Sequence, residues 1–313
     1  MKSAQKETCD QAQKRRGVLL GVTCMTGAAL SFAVMSALIK SASATLPPMQ
    51  LVMFRGLFGV LVIGGAEIVR HGRLRRGGGR GRLLARSMAG FLALSAYAWA
   101  IANTHLGVAS ALNQSSPIFV ALMALVFLRE RPPLPVLVLI PIAFLGVTLV
   151  VAPNWARVDF SALVGLSSGV LAAVSYVLVR ALRGSDPPHV IIRWFSMMCF
   201  AGALPVVLLQ GFVWPSGLLW PQLVGVAVFS LIGQFGMTYA YRFAEASLVA
   251  PFMYASVVAS LALGWFVWAE WPGAGGIAGV VLIIASSVAI VRFGNVTPAI
   301  ASPARAPDKR SAP

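Results

Sequence analysis

Apolar residues along this chain fall in long blocks broken by short polar or proline-containing segments. Blocks close to the ~20 residues needed to cross a bilayer occupy residues 17–39, 48–68, 87–104, 107–128, 134–152, 161–182, 190–211, 222–241, 247–268 and 274–291. The pattern predicts an all-α integral membrane protein with ten transmembrane helices. The first block follows Lys14, Arg15 and Arg16 and precedes Ala42-Ser43-Ala44, flanks that would suit a signal peptide. Its apolar stretch of about 22 residues exceeds the ~7–15 of a signal h-region, so it is read as a retained span.

Composition agrees: at 58% hydrophobic and 11% charged over 313 residues, one soluble core could not bury the apolar surface. The net charge of +16 would suggest nucleic acid in a soluble protein, but the placement of the charges changes that reading. With the N-terminus inside, 21 Lys and Arg fall on the cytoplasmic side and only Lys40 and Arg157 on the other, leaving Arg55 and Arg193 within or at the edge of spans. This is the positive-inside bias. It predicts a multi-pass membrane protein with both termini on the cytoplasmic side, the segment RHGRLRRGGGRGRLLAR lying against anionic lipid. The lipid bilayer is thus the expected partner, and nucleic acid is not. Gly77-Gly78-Gly79 is no dinucleotide fingerprint, because no strand precedes it. Cys9, Cys24 and Cys199 have neither disulfide nor zinc spacing.

The chain is also written twice. A shift of 140 residues places Trp99-Ala100 on Tyr239-Ala240, Ser116 on Ser256, Glu130 on Glu270, Pro132 on Pro272, and Pro47-Pro48 on Pro187-Pro188. Upstream, a shift of 144 aligns AALSFAVMSAL (28–38) with AAVSYVLVRAL (172–182). The repeated unit holds five spans, an odd number, so the copies should enter the bilayer from opposite sides as an inverted repeat. The expected organisation is a cytoplasmic segment 1–16, a first five-helix repeat 17–152, a second 153–292, and a disordered cytoplasmic tail 293–313.

The fourth span of each copy is interrupted. One carries Asn113-Gln114-Ser115-Ser116-Pro117 and the other Pro251 and Tyr254. Proline frees the carbonyl one turn earlier, which lipid cannot satisfy but a neighbouring helix or water-filled cavity can. Interrupted helices at corresponding places in two inverted halves point to a transport site.

At these residues the sequence resembles the drug/metabolite transporter superfamily. SPIFVALMALVFLRERP and AEASLVAPFMYASVVASLALGWFVWAEWP, each followed by a small-residue-rich helix, look like two EamA domains. The endings Glu130-Arg131-Pro132 and Glu270-Trp271-Pro272 are the most specific part, and Phe54-Arg55-Gly56 suits the pattern. The resemblance covers about residues 17–292. It implies a ten-helix bacterial inner-membrane carrier with a central cavity and alternating access, for substrates ranging over amino acids, nucleosides, sugars, vitamins and drugs.

Candidate chemistry follows from the interrupted spans. The 140-residue register sets Tyr254 opposite Gln114, beside Asn113 and Pro117. Gln234, Thr238 and Tyr241 share a face of the eighth span at i, i+4 and i+7. Tyr97 lies on a comparable stripe of the third span, with Trp99 offset from it. Asn113, Gln114, Tyr254, Gln234, Tyr241 and Tyr97 or Trp99 are therefore expected to line the cavity, amides and phenols holding a solute's polar atoms and aromatic faces its apolar part. Arg55, about seven residues into the second span, needs compensation. It either serves a substrate carboxylate or phosphate, or snorkels to the interface. Arg193 is expected at an interface, Lys40 to snorkel, and Glu67 to pair with loop arginines. Glu130 and Glu270 read as structural carboxylates facing a helix N-terminus ahead of a proline.

Gly165-Leu166-Ser167-Ser168-Gly169 spells the nucleophile-elbow pattern, but in an apolar helix with His71, His105 and His189 in loops or at helix ends. Close helix packing explains Gly165 and Gly169 better. With no P-loop, nucleotide motif or metal cluster, neither cofactor nor metal is expected, and nothing supports a primary pump. The family resemblance implies a secondary active transporter of a small organic metabolite, first as an exporter of amino acids or related amphipathic solutes. Uptake of a vitamin or nucleoside-like metabolite, of the riboflavin or S-adenosylmethionine type, is the alternative. An intramembrane hydrolase and a non-transporting scaffold are rivals of other classes. A homodimer is left open.

Overall fold

The computed structural model describes residues 2–72, 74, 77–128, 133–151, 160–271 and 273–294. Glu130, Arg131, Pro132, Arg157, Pro272 and the tail from Thr297 lie outside the described residues. The elements are helical: α1 (Lys2–Ala42), α2 (Pro48–His71), α3 (Arg80–Asn103), α4 (Leu106–Asn113), α5 (Ser116–Met123) with a π turn (Ala124–Leu128), and α6 (Leu134–Val151). They continue with α7 (Phe160–Leu182), α8 (Pro188–Gln210), α9 (Leu219–Phe243), α10 (Ala246–Val249), a 3-10 segment (Ala250–Tyr254), α11 (Ala255–Trp268) and α12 (Gly273–Gly294). Among the described residues nine segments are long and apolar enough to cross a membrane, and Leu134–Leu149 is a shorter apolar helix. The integral-membrane helical class is as expected.

Local chemistry sets the boundaries. Pro48 and Pro188 stand in the first turns of α2 and α8, where a missing N–H removes no helical bond. Gly72 closes α2 at φ 65°, its N–H bonded to the Ile68 carbonyl at 2.8 Å. The interrupted spans are breaks rather than kinks. Pro117 lies in the first turn of α5 and Pro251 in that of the 3-10 segment, so each proline opens a new segment instead of bending an old one.

Packing joins the two halves intimately. α1 lies along α9, α3 along α7, α2 along α8 and α6 along α12, while α4 and α5 press on α7 and α11 on α1. This pairing maps onto itself when the halves are exchanged. Between apolar helices in lipid, small residues decide how closely backbones approach. At the α2–α8 crossing, a Cβ on Gly56 would lie 2.8 Å from the Ser196 carbonyl oxygen, so only glycine fits. Large apolar side chains such as Leu61, Val126, Leu209 and Phe266 point outward, as a lipid-facing surface requires. Gln50 pins the α8–α9 connection through Nε2 to the Val213 carbonyl at 2.6 Å, beside an aromatic cluster of Phe54, Phe212, Trp214 and Trp220.

Two charged residues differ from expectation. Lys40 does not snorkel; its ammonium pairs with the Glu270 carboxylate. Arg193 is buried rather than interfacial, with Nε 3.2 Å from the Glu67 carboxylate, while the loop arginines Arg73, Arg75 and Arg76 expected beside Glu67 lie outside the described residues. A buried carboxylate is tolerable only with such a partner.

Candidate functional site

A cavity lies where the halves meet. Phe32 and Met35 enter from α1, Arg55 from α2, and Arg86, Leu94 and Tyr97 from α3. Opposite them stand Ser175 and Tyr176 of α7, Phe195 of α8 and Gln234 of α9. Asn113, Gln114, Met253 and Ser256 come from the two broken spans. Positions related by the duplication recur in this wall: Phe32 and Tyr176 at 144 residues, and Arg55 and Phe195, Leu94 and Gln234, Asn113 and Met253 at 140.

The breaks are stitched to one another. Gln114 Nε2 donates to the Met253 carbonyl and, at 2.9 Å, to the Ser256 hydroxyl. Asn113 Nδ2 donates to Ser168 Oγ at 2.9 Å. The close approach depends on Gly169, where a Cβ would sit 2.9 Å from the carbonyl oxygens of both Leu112 and Asn113. Gly165 likewise leaves room for Leu112 at 3.0 Å. The G-x-S-x-G pattern therefore seats a broken helix. The Ser167 hydroxyl is turned outward and bonds to the Val164 carbonyl of its own helix at 2.8 Å.

Two guanidinium groups dominate the electrostatics. Arg55 and Arg86 are only 5% and 1% exposed, yet neither has a carboxylate partner among the described residues. Both lie over the ring of Phe195, with Cζ to centroid distances of 4.7 Å and 4.3 Å. The two charges thus stand within about 9 Å of each other, where like charges repel by about 2 kcal/mol at an effective dielectric of 20. Neutral contacts offset this in part: Arg86 Nη2 donates to Gln234 Oε1 at 2.9 Å, and Arg55 Nη1 approaches Cys199 Sγ at 3.6 Å. Nε of both arginines and Nη1 of Arg86 have no hydrogen-bond partner.

Polar ties join the helices on both sides of the cavity. Towards Lys40, the Tyr97 hydroxyl meets Ser36 Oγ at 3.0 Å and Ser110 Oγ at 2.9 Å, and Ser110 donates to Ser260 at 2.9 Å. One turn further along, Glu270 joins Lys40, His105 Nδ1 at 3.2 Å and the Leu106 amide at 3.3 Å. Glu270 does face a helix N-terminus, but that of α4 rather than that of the helix it precedes. At the other end Arg180 Nη1 donates to the Tyr241 carbonyl at 2.7 Å. There the Asp186 carboxylate also accepts from the Gly78 amide at 2.8 Å, ahead of α3.

Of the residues expected in the wall, Arg55, Tyr97, Asn113, Gln114 and Gln234 line it, and Trp99, Tyr241 and Tyr254 do not. Trp99 packs edge-on against Phe160, centroids 5.7 Å apart. Tyr241 stands behind Tyr176 at 5.9 Å. It follows Gln234 by seven residues, about 10 Å along a helix axis, and so belongs to a different layer. Tyr254 is fully buried in an apolar cluster with Ala111, Ala143, Val147, Val257 and Ile283, and its hydroxyl has no partner. The 3-10 segment is the cause, since five residues at 120° rather than 100° rotate the face by about a quarter turn. Sequence reasoning missed Arg86, which looked like the last charge of a basic loop. It also missed Phe195, although that residue is the 140-residue counterpart of Arg55.

Comparison with known proteins agrees with this architecture. A model of the EamA-like transporter family matches twice, over residues 19–152 and 159–292. The chain is 36% identical over 286 residues to the pseudopaline exporter CntI of Pseudomonas aeruginosa, covering 89% of this chain and 96% of that protein. It is 29% identical to an uncharacterized transporter of Helicobacter pylori, over 88% and 96% of the two chains. With a riboflavin transporter of Rhizobium johnstonii it shares 26% identity over 67% of this chain and 70% of the other. A crystal structure of a protein 18% identical in sequence superposes with a TM-score of 0.74, over 88% of this chain and 97% of that one, and shows the same fold. A membrane-embedded helical bundle, small-molecule transporters as relatives and a family match over both halves lead to one assignment: the chain belongs to the EamA-like transporter family and is a transporter, not an enzyme.

Proposed function

We propose that the protein is a secondary active transporter that exports an amino acid or related amphipathic metabolite across the bacterial cytoplasmic membrane by alternating access. The observation that carries this reading is the cavity lined by counterpart positions of the two halves, with different polar ties between helices on its two sides. Ten spans in two inverted five-helix repeats, 17–152 and 153–292, would let one half rock against the other around a fixed site. The symmetric helix pairing and the double family match support that arrangement. Export is favoured over vitamin uptake because the exporter relative aligns over nearly its whole length, whereas the riboflavin transporter aligns over 70% of its own.

A flux screen of the purified protein in liposomes against amino acids, pseudopaline and riboflavin, with and without a pH gradient, tests the reading. Counterflow of an amphipathic amino-acid derivative is expected. Movement of riboflavin alone would favour uptake, and absence of flux for every solute would reject transport of these classes. For orientation, single cysteines near Gly78 should react from the cytoplasm and those near Gly217 from the opposite side; the reverse would invert the assignment.

A further inference from the structure

We propose that Arg55 and Arg86 form a two-point clamp for an organic anion bearing two carboxylates, so that the cargo is a diacid or an amino-acid derivative with two acidic groups. This deepens the transport reading and rests on it.

The site is made by two helices of the first half and completed by the second. Arg55 projects from α2 and Arg86 from α3, and Phe195 of α8 holds both guanidinium planes over one ring. A cation over an aromatic face is attracted by the ring's quadrupole, which fixes its position without neutralising its charge. The Arg86–Gln234 bond also leaves the charge whole. Two buried cations therefore remain, and the carboxylates of Glu67, Asp186 and Glu270 are engaged elsewhere, with Arg193, the Gly78 amide and Lys40 respectively.

A charge buried without a counter-ion is costly unless a ligand supplies one. Guanidinium is suited to that task, because its planar fork offers two parallel donors to a carboxylate. Three such donor atoms are unpartnered here, Nε of Arg55 and Nε and Nη1 of Arg86. One monoanion could neutralise only half of the pair. Two carboxylates joined by a short apolar linker would neutralise both and leave the linker against Met35, Leu94 and Met253. Asn113 and Gln114, on the facing wall, supply amides for a third polar group.

Arg55 and Phe195 occupy counterpart positions. The duplication thus began with equivalent places and ended with a cation on one side and the ring that holds it on the other. A cavity that only needed filling would not require this divergence.

The experiment uses the full-length protein in detergent and measures ligand-dependent thermal stabilisation with succinate, glutarate and adipate. Each is compared with its monomethyl ester, with phenyl phosphate and with 1,4-diaminobutane. At least one diacid should stabilise at concentrations about tenfold or more below its mono-ester, and the diamine should not stabilise. Arg55→Gln and Arg86→Gln should each erase the difference between diacid and ester. Equal potency of diacid and ester in the unmodified protein would overturn the clamp. So would phenyl phosphate outperforming every diacid, or a preference surviving both substitutions. If the glutamine variants do not fold, the diacid–ester comparison in the unmodified protein decides alone. A solute carried in the flux screen without any diacid preference would sink the clamp and leave transport standing. Diacid preference without flux of any solute would do the reverse.

Discussion

The two interrupted spans occupy the same place in the two copies, yet they do opposite work. In the first, the break at Asn113-Gln114-Ser115-Ser116 turns amide side chains towards the cavity and across to its partner. In the second, the stretch Ala250–Tyr254 offers a backbone carbonyl, Met253 O, and sends its one polar side group into an apolar cluster. The divergence runs through the rest of the cavity: Arg55 faces its counterpart Phe195, and the place equivalent to Arg86 holds Val226. Helix pairing is symmetric between the two halves, whereas their cavity groups differ: Asn113, Gln114 and both arginines come from one half, and the Met253 carbonyl and the Phe195 ring from the other.

The strongest way to break this contrast is to make the halves alike where backbone approach differs. Extending the 144-residue register pairs Gly169 with Met25. In Gly169→Met the new side chain must displace the Asn113 and Leu112 carbonyls, a costlier change than the ~1–3 kcal/mol of ordinary overpacking. Little monodisperse protein should survive size exclusion, and an unaffected melting temperature would show that the broken span is not seated on α7.

Next in size is Glu270→Gln. It should cost about 1–2 kcal/mol, less than the 3–5 of a fully buried pair, because the site is partly exposed. The pH profile of transport per folded molecule should hardly move, since the carboxylate ties α1, α4 and α11 together rather than facing the cavity. A flattened profile at normal protein level would make it a proton site instead.

Gln114→Leu removes one of the Met253 carbonyl's donors, leaving the Ser256 hydroxyl at 2.7 Å, and should cost about 0.5–1.5 kcal/mol of stability, with weaker apparent affinity for the transported solute. Thermal unfolding and flux on the same preparation separate the two effects; unchanged values in both would leave the stitch between the breaks without energetic weight.

The smallest effect is expected of Tyr254→Phe. Deleting a buried hydroxyl without a partner breaks no hydrogen bond and removes a desolvation cost, so stability should not fall and affinity should stay unaltered. An altered KM would restore Tyr254 to the site and erase the contrast between the two breaks.

Sequence alone determined the class of solvent, the helical character and the places where the two interrupted spans break. Each follows from something local or additive: apolar block length against bilayer thickness, or a proline that cannot donate. It also identified Asn113 and Gln114, because polar residues beside a break need partners that lipid cannot give. Tertiary structure alone decided which charges and hydroxyls share the cavity. Arg86 reads as loop charge until α3 is seen to begin at Arg80 and bury the residue nearly two turns later. Tyr254 reads as a site residue until the 3-10 segment turns it away from Gln114. Direction around a helix is a cumulative angle, and a small change in twist at a break redirects every side chain beyond it. A hydropathy pattern records which residues avoid water, but whether an arginine meets a carboxylate, a ring or a substrate depends on helices distant in the chain.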